Sequence, residues 1–150
     1  MGRLVSFYEA TANNSSKDLT SFVNKWLSGG NNSSKHLKLK CAHVELATTA
    51  TVGDRLLSLV MTDENGNELF DYNVGSLQAA SLVYHYDFMP GIYRETVNTT
   101  AVGSGVDGTI ECPFPVDLEW RPDWTLTFKD KNAVDAAADD MIISGIVEIC

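Results

Sequence analysis

From His36 onward, apolar and polar side chains alternate in short runs, the two-residue period of a strand with one covered face. His36–Ala47 places Leu37, Leu39 and Cys41 in one phase, then Ala42, Val44 and Leu46 in the other. That shift predicts a bulge, or a strand buried on both faces. Arg55–Thr62 and Glu68–Val74 flank Asp63-Glu64-Asn65-Gly66-Asn67. Asn65-Gly66 between apolar runs predicts a hairpin, because both residues tolerate the positive φ of a tight turn. Gln78–Phe88 sets Leu82, Tyr84, Tyr86 and Phe88 against Ser81, Val83, His85 and Asp87, and Pro90-Gly91 stops it. Trp124–Lys129 and Met141–Ile149 alternate in the same way. Pro113 and Pro115 confine Phe114 to a sheet edge or an extended connection, and the glycines of Val102–Gly108 make that stretch a loop.

Residues 1–35 read differently. Leu4, Val5, Phe7 and Tyr8 suit a short opening strand. Leu19, Phe22, Val23, Trp26 and Leu27 then fall on one face of an amphipathic helix. Ser16 or Asp18 can cap its start and Gly29-Gly30 can end it, before the linker Asn31–Ser34. The pattern as a whole predicts a mainly β fold. Its form is an antiparallel β-sandwich or jelly roll with a short N-terminal amphipathic helix. Residues 1–35 form an N-terminal arm and residues 36–150 the β-sandwich domain.

Composition narrows the function. A chain of 150 residues suits one domain with its own core, and 44% apolar with 21% charged residues is ordinary globular composition. The net charge of −9 disfavours a nucleic-acid partner, whose phosphates call for Lys and Arg. The charge is uneven: residues 1–55 are net +3 and residues 56–150 net −12. No run approaches the ~18–20 apolar residues of a membrane span, and Met1–Ala12 lacks the features of a secretory leader. Cys41, Cys112 and Cys150 are odd in number and widely spaced, which predicts free thiols made in a reducing cytosol.

Candidate chemistry is sparse. Asp63-x-Asn65-Gly66 has its glycine too early for an EF-hand loop and no acid at the twelfth position, so it reads as a turn. Asp130, Asp135, Asp139 and Asp140 could gather around a hard cation, but nothing in the sequence makes their oxygens converge, which favours a solvated acidic loop. His36, His43 and His85 lack zinc-site spacing. Gly103-Ser104-Gly105 lacks the setting of a nucleophile elbow. No enzyme, cofactor or metal signature results. Trp120 and Trp124, around Arg121-Pro122-Asp123, are the expected exposed aromatic pair, suited to a protein contact or to a carbohydrate- or receptor-binding module.

Three runs carry a family resemblance: GDRLLSLVMTDENGNELFDY, QAASLVYHYDFMPGIYRE and LEWRPDWTLTFKDKNAVDAAADDM. They span residues 53–141, and this stretch resembles small virion structural proteins of tailed bacteriophages. The resemblance lies in packing and turn residues and brings no catalytic residue with it. It implies a non-enzymatic β-sandwich or jelly-roll component of the virion, made in the host cytoplasm. The expected role is a capsid decoration (cement) protein; the alternative is a tail or connector component. Expected partners are the major capsid protein or other virion proteins, and copies of the chain itself, a trimer being one possibility. No nucleic acid or membrane is expected. The charge split then suggests an orientation, with Lys17, Lys25, Lys35, Lys38 and Lys40 facing an acidic shell and Phe22 and Trp26 as apolar anchors. The competing reading has Leu19, Phe22 and Trp26 covering the sandwich's own core.

Overall fold

Strands with one apolar and one polar face need a second layer to cover the apolar side. The computed structural model describes residues 2–10, 16–18, 36–91, 99–100, 108–115 and 118–150. These form β1 (Arg3–Glu9), β2 (Ser16–Asp18), β3 (Leu37–Ala47), β4 (Leu57–Thr62), β5 (Glu68–Asn73) and β6 (Val83–Pro90). β7 (Thr99–Thr100), β8 (Gly108–Phe114), β9 (Glu119–Trp120), β10 (Thr125–Asp130) and β11 (Asp140–Ile149) follow. Among the described residues there is no helix. The helix expected over Leu19–Leu27 lies outside them. Its candidate caps, Ser16 and Asp18, are strand residues whose backbone pairs with Lys129 and Thr127 of β10.

The strands make two sheets, one of seven strands in the order β1-β11-β3-β6-β8-β7 with β9 also pairing β3, the other β2-β10-β4-β5. β1 and β2, which the expected division assigns to the arm, thus join one sheet each. The sheets face each other across a single core. Phe88 of the large sheet sets its ring edge-on to Phe128 at 5.0 Å and to Tyr72 at 6.3 Å, both in the small sheet. Leu37, Leu39, Val44 and Leu46 of β3 and Leu57 and Leu59 of β4 are wholly buried in the same cluster. Tyr84, Tyr86 and Phe88 all turn inward, as the alternation predicts.

Two local expectations appear in the structure. The phase change in β3 is a bulge: Cys41 pairs Ile146 and Leu39 pairs Val147, leaving Lys40 with no opposite residue. The hairpin between β4 and β5 forms where expected and turns at Gly66, with φ of 84°, although Asn65 does not share the positive φ. Asp63 fastens it, its Oδ1 accepting from the backbone N–H of Asn65 at 2.9 Å and of Asn67 at 2.8 Å.

One expectation needs correcting. The large sheet is not wholly antiparallel, because β6 and β8 run parallel, Tyr84 opposite Gly108 and Phe88 opposite Cys112. A parallel pair needs a crossover of about a dozen residues or more. The chain between Gly91 and Gly108 is long enough to provide one.

Candidate functional site

The outer face of the large sheet gathers the titratable side chains that looked isolated in the sequence. Beyond the bulge, Cys41, His43 and Glu45 of β3 point away from the core, because Ala42, Val44 and Leu46 between them are buried. On β6, His85 and Asp87 do the same between Tyr84, Tyr86 and Phe88. Antiparallel pairing sets His43 opposite Asp87 and Glu45 opposite His85.

These contacts form a chain. His43 Nδ1 lies 2.6 Å from Asp87 Oδ1, and its Nε2 lies 3.2 Å from His85 Nδ1. Facing a carboxylate, His43 Nδ1 is the donor to Asp87, and the contact between the two imidazoles takes its direction from their tautomers. Glu45 Oε2 stands 4.0 Å from His85 Nδ1. The two ring centroids are 5.3 Å apart with the planes 30° from parallel. The rings therefore meet edge to edge along the hydrogen bond, with both nitrogens aimed at each other. Lone pairs that converge on a metal would have to meet at an angle instead. Among the described residues, no group of three or more His, Cys, Asp or Glu side chains is placed to hold a metal ion.

An open cavity of about 280 Å³ lies beside this chain, lined by Cys41, His43, Asp87, Met89, Glu111 and Ser144. Among the described residues, neither Cys41 nor Ser144 is hydrogen-bonded to an imidazole, so the arrangement lacks a nucleophile coupled to a base. It binds β3 to β6 through side chains on the solvent face.

The residues singled out in the sequence scatter. Phe22 and Trp26 lie outside the described residues. Lys38 Nζ sits 3.8 Å from Glu119, and Lys40 Nζ sits 3.5 Å from Glu148, so acidic neighbours locally offset both lysines. Trp120 is not exposed. Only 1% of it reaches solvent, and it packs in the core beside Leu37 on the β3–β9 pair. Trp124 is partly exposed, donating from Nε1 to Glu64 Oε2 at 2.8 Å beneath the Arg121 guanidinium, 5.3 Å from the ring centre. The expected aromatic pair is thus split between core and surface, since β9 pairs with β3 and its alternation sends Trp120 inward.

The acidic stretch is not a solvated loop either. Asp139 is buried and accepts from Arg55 Nε at 2.8 Å and Nη2 at 3.1 Å. Asp130 is buried too, and its carboxylate accepts from the backbone N–H groups of Leu56, Asn132 and Val134. Asp135 accepts from the hydroxyls of Thr49 at 2.5 Å and Thr51 at 2.8 Å, which hold its carboxyl below the usual carboxylate range. Arg55 supplies the positive charge that a cation would otherwise bring. Gln78 completes this end of the molecule. It donates to the carbonyls of Leu46 and Leu82 and accepts from the Tyr86 hydroxyl at 2.9 Å.

No protein-family model matches the chain, and no curated sequence matches it significantly. Among solved structures, it is similar to a chain from the structure of infectious bursal disease virus Gx strain, at 8% identity and a TM-score of 0.32. That similarity covers 98% of this chain and 32% of the other, so this chain spans about a third of its length.

Proposed function

We propose that the chain is a non-enzymatic structural component of a bacteriophage particle, specifically a capsid decoration protein that binds the assembled shell and bridges its subunits. The resemblance of residues 53–141 to phage virion proteins supports the setting. The observation that carries the role is the outer face of the large sheet. There Leu4, Tyr8, Met89 and Ile146 remain exposed around the polar row of Ser144, His43, Asp87 and Glu111. Protein contacts mix apolar and polar side chains in this way, with aromatic residues and Met enriched among them. A protein that binds only the assembled shell stabilises it by mass action. A tail or connector component would use the same face, whereas burial of Trp120 takes away half of the expected sugar platform.

The test uses purified empty shells that lack this protein. The full chain should co-sediment with them and raise their disassembly temperature. Met89→Asp combined with Ile146→Asp should fold as wild type and lose binding, because both positions are exposed. Shells that do not retain the wild-type chain, or that retain the double variant equally well, would overturn the reading.

A further inference from the structure

Four strands close the ends of the two sheets among the described residues: β1 and β7 in the large sheet, β2 and β5 in the small one. An edge strand offers backbone donors and acceptors to any passing strand, and proteins blunt such edges with short length, charge or Pro. β7 has two residues and β2 has three. β5 carries Glu68 and Asp71, both drawn to Lys131 of the same chain, and so presents the kind of charged side chains that blunt an edge. β1 is different. It has seven residues and no Pro, and it leaves Leu4 62% and Tyr8 65% exposed.

The sequence of β1, Arg3-Leu4-Val5-Ser6-Phe7-Tyr8-Glu9, complements its own reverse. Two copies laid antiparallel with Ser6 on the axis set Arg3 opposite Glu9, Leu4 opposite Tyr8 and Val5 opposite Phe7. Residues directly opposite in an antiparallel pair point to the same face. The pairing of β1 with β11 fixes those faces: Phe7 lies opposite Gly145 on the core side, and Tyr8 opposite Ser144 on the outer side. Self-pairing therefore brings the two exposed apolar side chains together on the outer face and repeats the contact across the axis. Opposite charges meet at both ends of the same strand pair.

We propose that β1 is a self-recognition edge, through which two copies of the chain join their large sheets into one continuous sheet about a two-fold axis. The contact is isologous, the same residues serving both partners. Main-chain hydrogen bonds supply the attraction, and the Arg3–Glu9 and Leu4–Tyr8 pairs set the register. The proposal rests on the edge and its side-chain order, independently of any role in a virion.

Sedimentation equilibrium of the full chain at rising concentration should reveal a species of twice the 16.4 kDa chain mass. Arg3→Glu alone, or Glu9→Arg alone, sets like charges together at both ends and should weaken dimerisation by about tenfold or more. Combining the two reversals restores complementarity, as does mixing the two singly reversed chains, and both should recover the dimer. Backbone amides of β1 should exchange hydrogen more slowly as the concentration rises. A chain that stays monomeric throughout, single reversals that dimerise like wild type, a double reversal that does not recover, or concentration-independent exchange in β1 would each overturn the proposal.

Discussion

Arg55 and Asp139, 84 residues apart in sequence, form a two-pronged ion pair in which both side chains are shut off from water. The guanidinium also donates from Nη1 to the carbonyls of Thr51 at 2.9 Å and Gly53 at 2.7 Å, so the turn before β4 is wrapped around it. Asp139 Oδ1 in turn accepts from the Thr49 backbone N–H at 2.8 Å. The pair thus fastens the loop before β4 to the loop before β11. Removing one member leaves the other charged, buried and without its counter-ion, which costs about 3–5 kcal/mol. Asp139→Asn and Arg55→Met should each lower the urea unfolding free energy by that amount. A loss below about 1 kcal/mol in both would show that the pair holds nothing together.

Gly145 pairs with Ala42 of β3, just before the bulge, where a Cβ would collide with the Cys41 carbonyl oxygen and stand 2.7 Å from Phe7 Cζ. The backbone of β3 is pinned there by its pairing on both sides, so it cannot easily yield. Gly145→Ala should therefore destabilise by about 1–3 kcal/mol through overpacking, although alanine suits a strand interior better than glycine does. An unchanged or raised melting temperature would mean that the strands separate freely at this point.

Among the described residues, Trp120 Nε1 is buried with no hydrogen-bond partner. An unsatisfied buried donor costs about 1–3 kcal/mol. Trp120→Phe, which removes the donor but keeps most of the ring, should leave stability unchanged or slightly improved. Trp120→Ala should lose about 3–5 kcal/mol to the cavity it creates. Equal losses in the two variants would point to a hidden partner for the indole.

Acid should loosen the loop around Asp135. The hydroxyls of Thr49 and Thr51 hold its carboxyl below the ordinary value of 3.8, and hydrogen bonds from Asn67 act on Asp63 in the same direction. The folded chain then binds these protons less readily than the unfolded chain, so both carboxylates add stability above the ordinary value. That contribution fades as the pH falls through 3.8 toward the lower folded value. Thermal unfolding of wild type and Asp135→Ala should differ at pH 6 and converge toward pH 3. A gap that stays constant over this range would place the stabilising contact elsewhere.

What the sequence disclosed depended on how local each cause was. The Asn65-Gly66 turn, the inward run of Tyr84, Tyr86 and Phe88 and the slip at Lys40 are each decided by a few neighbouring residues, and each can be read directly. The His43–Asp87–His85 chain could not be read in that way, because its members come together only through the register of β3 on β6. A signal was present in H-x-E at residues 43–45 and H-x-D at residues 85–87, one residue type per outward position on two alternating strands. Nothing local, however, says that these strands are neighbours. Arg55 and Asp139 are hidden for the same reason. Trp120 was misplaced because a two-residue strand is too short to reveal its phase, and the parallel β6–β8 pair because hairpin signals favour antiparallel neighbours.

The position of β3 also governs the timing of folding. It lies between β11 on one side and β6 and β9 on the other, and β11 is encoded about a hundred residues later. At translation rates of about 5–20 residues per second, β3 waits roughly 5–20 s for that partner. Until then Leu37, Leu39, Val44 and Leu46 lie on a strand with one open side. The large sheet is thus completed late, and a nascent chain stalled before Asp140 presents that open side of β3, and β1 without its partner, to other chains.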